Sequence, residues 1–380
     1  MTDTALLDPQ TVRAAASLAR AEIDLNALRY NLRYLRRLAG DAEVMGIVKA
    51  NAYGHGVEHV VPVLRAEGVG VFAVANVPEA VRLREIGVTE RVLVFGAPLP
   101  EALPAYAAHD LEVTVSSRAV AEAAVALGQS LRVHVKVDTG MGRIGLQPDE
   151  VAGVMAMLRA APHVEIVGLW THFATADEPD TSFAETQIDA FEHVAAEVGE
   201  PLPPLHLANS GALVGLPDAV RGRAFVRVGG LLYGIPSSDV LAERTETKPV
   251  MRLVTRVVHV KTVQPGETVS YGRTWAAEAP TRIATLAVGY GDGLPRALSN
   301  RGAVGIGGRR YPIAGRVCMD FTMLDLGAPD GPGASVSVGN EAVVFGPGGP
   351  SAFEAAEAAG TISYDLPCGL TARVPRVVSE

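Results

Sequence analysis

At 380 residues, 48% of them hydrophobic and 20% charged, the chain has apolar material for two domains with large cores and too little polarity to stay disordered. Lys and Arg number 33 against 42 Asp and Glu; the net charge of −9 argues against a nucleic-acid partner. Two distant cysteines, Cys318 and Cys368, exclude a disulfide framework or a zinc knuckle. No apolar run reaches the roughly 18 residues of a membrane-spanning helix, and the opening MTDTALLDPQ lacks the pattern of a secretory signal. A soluble, cytoplasmic protein is expected, with no metal site, no nucleic acid and no membrane.

In chain order, residues 20–40 (RAEIDLNALRYNLRYLRRLAG) predict a short strand and an amphipathic helix, the stretch at about 20–25 being a candidate to pair with a later β domain. Eight apolar runs follow: MGIVK (45–49), VFAVA (71–75), VLVF (92–95), LEVTV (111–115), RVHVKV (132–137), EIVGLW (165–170), LHLAN (205–209) and FVRVG (225–229). Ala-rich helical patterns such as 77–87 and 116–128 lie between them, the latter opening on serines and closing on glycine. Strands apolar on both faces and interleaved with helices suit a parallel sheet covered by helices. Eight units in under 200 residues predict an α/β fold, an N-terminal (β/α)8 TIM-type barrel over 1–245, with a doubly wound open sheet as the alternative. From 246 to 380 the pattern turns mostly β, with runs at 251–263, 281–289, 303–308 and 341–346 separated by turns such as QPGE and DGPG. Only 352–359 reads as helical there, and no internal duplication is visible.

Only four lysines are present, Lys49, Lys136, Lys248 and Lys261, and two of them end apolar strands. An amine in that position is open to losing its charge through burial, although a strand-end lysine reaching out to water is the ordinary reading. Side chains at the C-terminal ends of barrel strands converge on one mouth. Lys49 leads there into ANAYGHG with Tyr53, and Lys136 into the glycine-rich loop that delivers Arg143. His172 follows the sixth strand, Asn209 and Ser210 the seventh, and Arg227 with Gly229 and Gly230 ends the eighth. Each piece alone is weak, since glycine pairs are usually turns and a single histidine is usually structural. Together they predict a site for an anionic phosphorylated ligand, with a lysine poised to form a Schiff base.

The motifs VKANAYGHG, KVDTGMGRIG, THFATAD, HLANSGA, RVGGLLYG, SYGRTW, GYGDGLPR, GRVCMD and ISYD…RVPR, spread over residues 48–376, resemble the alanine racemases. The resemblance implies a pyridoxal 5'-phosphate enzyme, a homodimer, that interconverts L- and D-alanine and supplies D-alanine for peptidoglycan. It implies Lys49 as Schiff-base lysine and first base, and Tyr271 as second base, donated by the partner subunit. Tyr53, Ser210, Gly229, Gly230 and Tyr364 match phosphate-holding positions, and Asn209 counts with the cofactor-binding residues. Arg227 matches the residue facing the pyridine nitrogen, with His172 behind it. Arg143 and Met319 match the binders of the substrate carboxylate, and Lys136 a lysine that the family carries as a carbamate. Asp177, Tyr290, Arg296 and Arg316 match positions along the approach to the site. Gly230 stands where a larger apolar residue is common, and Phe321 where an amide is frequent.

These roles are chemically coherent. Racemisation removes a proton from one face of Cα and returns it on the other, so it needs two bases flanking a planar intermediate. A phenol ionises near 10 in water, so a cation such as Arg143 is needed beside the tyrosine. The alternatives are a broad-specificity amino-acid racemase, a PLP-binding homeostasis protein, which would lack the second domain, and a basic amino-acid decarboxylase, which would need an acidic group where Arg227 stands.

Overall fold

The computed structural model describes residues 18–379; the opening segment read for a targeting signal, and the ends of both domain ranges, lie outside the described residues. β1 (Arg20–Asp24) leads directly into the helix Leu25–Ala39. Asp24 caps that helix by accepting the Ala27 N–H at 2.8 Å, and Leu28, Leu32 and Leu35 form its buried stripe. Burying each such leucine contributes about 1.5–3 kcal/mol.

The barrel strands are β2 (Glu43–Ile47), β3 (Val71–Val74), β4 (Arg91–Val94), β5 (Glu112–Val115), β6 (Leu131–Lys136), β7 (Val164–Trp170), β8 (Leu205–His206) and β9 (Phe225–Val228). All pair in parallel in the order β8-β7-β6-β5-β4-β3-β2-β9. Between β8 and β9 the ring closes through two backbone hydrogen bonds outside a ladder, Ala224 N–H to the Leu205 carbonyl and Arg227 N–H to the Ala208 carbonyl, at 3.0 Å each. Every residue of β3, VFAV, is buried, as a strand covered on both faces requires. This is the eight-stranded barrel expected from the alternating pattern.

After the helix Asp239–Arg244 the architecture changes. β10 (Met251–Val263) is the spine of a second sheet. The two-residue strands β11 (Thr268–Val269) and β12 (Trp275–Ala276) form a hairpin with Tyr271 between them. β13 (Thr281–Leu286), β14 (Ala303–Ile306), β15 (Arg309–Pro312), β16 (Thr322–Gly327), β17 (Glu341–Phe345) and β18 (Arg376–Ser379) complete the domain. β10 pairs antiparallel with β1, β13 and β17, while β18 lies parallel to β1. The first described strand thus belongs to the second domain, held there between β10 and β18 by Arg20, Glu22, Arg252 and Glu341 as alternating ion pairs. Among the described residues no helix is long and apolar enough to cross a membrane.

Several segments differ from the sequence reading. Run 205–209 is a strand only at Leu205–His206, because Asn209 turns away to cap the helix Ser210–Gly215. β16 went unforeseen although its sequence, TMLDLG, alternates buried and half-buried residues, the period-two signal of a strand with one face in the core.

Candidate active site

At the C-terminal ends of the barrel strands a cavity of about 890 Å³ opens. Lys49, Tyr53, Arg143 and His172 line it, as do Asp177, Asn209, Ser210 and Arg227, and Gly229, Gly230 and Tyr364 close one end. Lys49 lies two residues beyond the end of β2, on a one-turn segment, Lys49–Tyr53, that winds left-handed. Ala50, Asn51, Ala52 and Tyr53 all have φ between 51° and 55°. Each L-residue held so costs about 1–2 kcal/mol, because Cβ crowds the following carbonyl.

Named contacts hold the turn against that strain. The Glu79 carboxylate accepts the Ala50 N–H at 2.7 Å and the Ala75 N–H at 2.8 Å, tying the turn to the end of β3. Asn51 Oδ1 accepts the Val57 N–H at 2.8 Å, and Arg376 Nε, arriving from the C-terminal strand, donates to the Gly54 carbonyl at 2.8 Å. Gly54 closes the turn at φ 79°, where any Cβ would stand 1.8 Å from the Pro367 carbonyl oxygen. Neither Glu79 nor Arg376 was singled out from sequence; both act across the fold, and only the RVPR motif pointed toward the second.

The phosphate-sized end of the cavity is equally tight. A Cβ on Gly229 would stand 2.4 Å from the Tyr53 hydroxyl, and one on Gly230 would stand 2.2 Å from the Tyr364 ring and 2.5 Å from its hydroxyl. The departure at Gly230 therefore has a steric cause: Tyr364 occupies the space a larger side chain would need. Ser210 Oγ accepts the Gly229 N–H at 3.0 Å, and Ser210 itself begins a helix whose first-turn amides have no acceptor within the helix. Asp177, farther along the wall, accepts from Ser237 Oγ at 2.5 Å.

The opposite wall is cationic. Arg227 is buried, and donates to the His206 and Thr171 carbonyls at 2.8 Å and to that of Leu207 at 2.7 Å. Burial lowers it to about 9, and His172 Nδ1 lies 3.3 Å from its Nη2. Burial first, then Arg227, Arg143, Lys136 and Lys49, push His172 well below the usual imidazole range and keep it neutral. Lys49 is lowered by burial and then by Arg143. Lys136 does not itself line the cavity and is 1% exposed, packed against Trp170, which does. It donates to the Val137 carbonyl at 2.9 Å and sits 4.9 Å from the centre of the Trp170 ring. Burial, with Arg227 and Arg143, brings it down to about 7.

Besides Lys136, which does not line the cavity, five expected residues are not brought into it by the single chain. Tyr271, Tyr290 and Met319 are 69%, 41% and 51% exposed on the second domain, and Arg296 and Arg316 lie on the same domain. Their neighbourhood is nonetheless common. Ser270 Oγ donates to the Arg316 carbonyl at 2.5 Å, a Cβ on Gly272 would stand 2.9 Å from Arg316 Cζ, and the Tyr290 N–H donates to the Cys318 carbonyl at 2.9 Å. Phe321, 47% exposed, adjoins them, its carbonyl accepting the Cys318 N–H at 2.9 Å.

Two family profiles match the chain: "Alanine racemase, N-terminal domain" over residues 23–237 and "Alanine racemase, C-terminal domain" over 250–378. The alanine racemase of Chlorobaculum tepidum is 45% identical over 374 residues, spanning 95% of this chain and 96% of its own length. That of Cutibacterium acnes is 40% identical over 372 residues, with 95% and 97% covered. The crystal structure of the biosynthetic alanine racemase from Pseudomonas aeruginosa superposes with a TM-score of 0.88 at 36% identity, covering 95% of this chain and 99% of that one. With barrel, second sheet and full-length likeness in agreement, the chain belongs to the alanine racemase family of isomerases.

Proposed function

We propose that the protein interconverts L- and D-alanine with pyridoxal 5'-phosphate held in the barrel mouth, Lys49 and Tyr271 serving as bases on opposite faces of the substrate, and Tyr271 supplied by a second copy of the chain. The observation that carries this reading is where the strain falls. Among the described residues eight non-glycine positions have positive φ; Ala50, Asn51, Ala52 and Tyr53 follow Lys49, Ser270 and Arg273 flank Tyr271, and only Asp110 and Asn300 lie elsewhere. Such conformations persist where the surroundings over-determine them, and they gather at functional sites.

The residues present fit the cofactor. The close approach of Gly229 to the Tyr53 hydroxyl and of Gly230 to Tyr364 leaves a cradle of backbone and phenol groups suited to a phosphate, with Ser210 and Asn209 at its rim. When bound, pyridoxal phosphate supplies an electron sink that acidifies the substrate's Cα–H. Arg227 would face the ring nitrogen as a donor that keeps its own proton, with His172 neutral behind it. Arg143 has no hydrogen-bonded carboxylate of its own among the described residues, so it is free to bind that of alanine, together with the Met319 N–H. Lys49 takes or returns the Cα proton on one face and Tyr271 on the other. Lys136, near neutral at about 7, is a nucleophilic amine able to add carbon dioxide with loss of a proton, and the carbamate would set an anion near Arg143. Asp177, Tyr290, Arg296 and Arg316 would border the approach. In the cell the proposed role is supply of D-alanine for peptidoglycan in the cytoplasm.

The test is a racemisation assay of the purified chain over a panel of L-amino acids, read by chiral chromatography with and without added pyridoxal phosphate. Cofactor-dependent conversion of alanine above all others is expected. No conversion of alanine would overturn the reading, and equal conversion of larger amino acids would make the enzyme a broad-specificity racemase.

A further inference from the structure

Arg227 is a buried cation that forms no ion pair with a carboxylate among the described residues, and it is the only arginine whose guanidinium donates to two imidazoles. One of those imidazoles starts a chain. Arg227 Nη1 lies 3.1 Å from His206 Nδ1, His206 Nε2 lies 3.0 Å from His134 Nδ1, and His134 Nε2 lies 2.7 Å from Glu112 Oε2. Glu112, His134 and His206 are all fully buried. Beyond Glu112, Arg91 Nε closes the line with a contact of 2.5 Å to Oε1, and Arg132 Nε stands 3.4 Å from the same oxygen.

The direction of every proton in this chain follows from its two ends. A guanidinium can only donate, so His206 Nδ1 must accept and its single proton sits on Nε2. That proton points at His134 Nδ1, which must accept in turn, so His134 also carries its proton on Nε2. Glu112, at the far end, can only accept while ionised. Burial alone would raise it, but hydrogen bonds from His134 and Arg91 outweigh that and hold it at about 2. Reversing either ring would set two donors or two acceptors face to face inside the barrel, which costs about 1–3 kcal/mol for each unmade bond.

The fold makes room for this arrangement. The β6–β7 register shifts between Val133 and His134. Opposite that irregularity stands Gly168, where a Cβ would lie 2.0 Å from His134 Nδ1. His206 in turn stacks on Trp170 at 5.6 Å and an angle of 6°.

We infer that Glu112 and His134 are positioning residues for Arg227: through His206 they lock one proton arrangement across the barrel interior and so hold the guanidinium in a single donor geometry at the cavity wall. This rests on the proposed function, since Arg227 matters to the reaction only where the cofactor ring lies beside it.

The test uses the full chain labelled with 15N histidine, and the variants His134→Phe and Glu112→Leu. Without added cofactor, nitrogen shifts at pH 7 are expected to show both His134 and His206 neutral and protonated on Nε2. In His134→Phe the His206 Nε2–H loses its acceptor while Arg227 still donates to Nδ1, so the proton is expected to stay on Nε2, with its 1H resonance moving upfield and exchanging faster with solvent. After loading with pyridoxal phosphate, His134→Phe should lose kcat about tenfold with KM changed less than about twofold. Glu112→Leu should do the same if it folds; if it does not, His134→Phe decides alone. Either ring found protonated on Nδ1 in the unmodified chain, an unchanged His206 Nε2–H resonance in His134→Phe, or a wild-type kcat in that variant would overturn the inference. An unmodified chain with the expected tautomers that takes up no pyridoxal phosphate would instead sink the proposed function, while the His206 Nε2–H resonance still decides whether His134 holds His206.

Discussion

The barrel mouth and the Tyr271 face of the second domain are opposite kinds of surface. The mouth is concave and cationic, its groups held by contacts from several strands, and it gathers eleven of the expected site residues around one cavity. The other face is exposed, with Tyr271, Tyr290, Met319 and Phe321 open to solvent on the second domain. Both carry backbone strain, yet they secure it differently. The Lys49 turn is pinned by Glu79 and Arg376 from distant parts of the chain, whereas Ser270 beside Tyr271 bonds the Arg316 carbonyl on an adjoining loop. Under the proposed function the mouth holds one base and the face the other, so neither region would be a complete site by itself. Two copies arranged so that face meets mouth would complete both.

The hardest blow to this comparison is Lys49→Ala, which should cut racemisation at least about a thousandfold, while borohydride reduction of the unmodified enzyme and peptide mapping place the pyridoxyl group on Lys49. Label at another lysine would show that the mouth is not organised around this amine.

Tyr271→Phe should lose about a hundredfold, the usual worth of one acid–base group. Mixing it with Lys49→Ala and allowing chains to exchange should recover about a quarter of the unmodified activity, since random pairing makes half the dimers mixed and each mixed dimer holds one intact site. Exchange without recovery would mean that face and mouth do not meet between chains.

Glu79→Ala sharpens the comparison on the barrel side. It removes two charge-assisted hydrogen bonds from the left-handed turn, so kcat should fall about tenfold and the thermal midpoint should drop by several degrees. A midpoint that falls with kcat intact would show that the strain serves stability only.

The smallest effect is expected at the amine of Lys136. Lys136 titrates at about 7 when folded against 10.5 when unfolded, so between those values the unfolded chain holds more protons and stability rises with pH. Lys136→Met should abolish that rise, raise stability at pH 7 by about 1 kcal/mol and still slow racemisation. Denaturant titrations from pH 6.5 to 10 check the slope; an unchanged slope would mean that the amine is not the group responsible.

Much of this was legible along the chain. Eight apolar runs announced the barrel because a strand buried on both faces leaves no polar alternation to confuse the reading. Lys49 and Lys136 stood out because nearly every other basic residue is arginine, and Arg143, Arg227 and Tyr364 followed from their motifs. The roles of Glu79, Arg376, Glu112 and His206 were not legible, since their partners are distant in sequence; Arg376 and His206 stand inside motifs that do not mark those contacts, and Glu79 and Glu112 look locally like ordinary polar residues. His134 carried a faint signal, a histidine two positions before Lys136 in an otherwise apolar strand, hence on the same face.

What the order of residues settled by itself was periodicity and chemistry: where strands alternate with helices, which amines and phenols exist, and where glycine leaves space. What only the folded chain decided was adjacency. The left-handed turn under Lys49, the direction of the Arg227–His206–His134–Glu112 chain and the separation of Tyr271 from the cavity depend on contacts between residues far apart in sequence. Local patterns record the preferences of neighbours along the backbone, whereas a hydrogen bond between distant strands comes into being only when closure of the barrel sets them side by side.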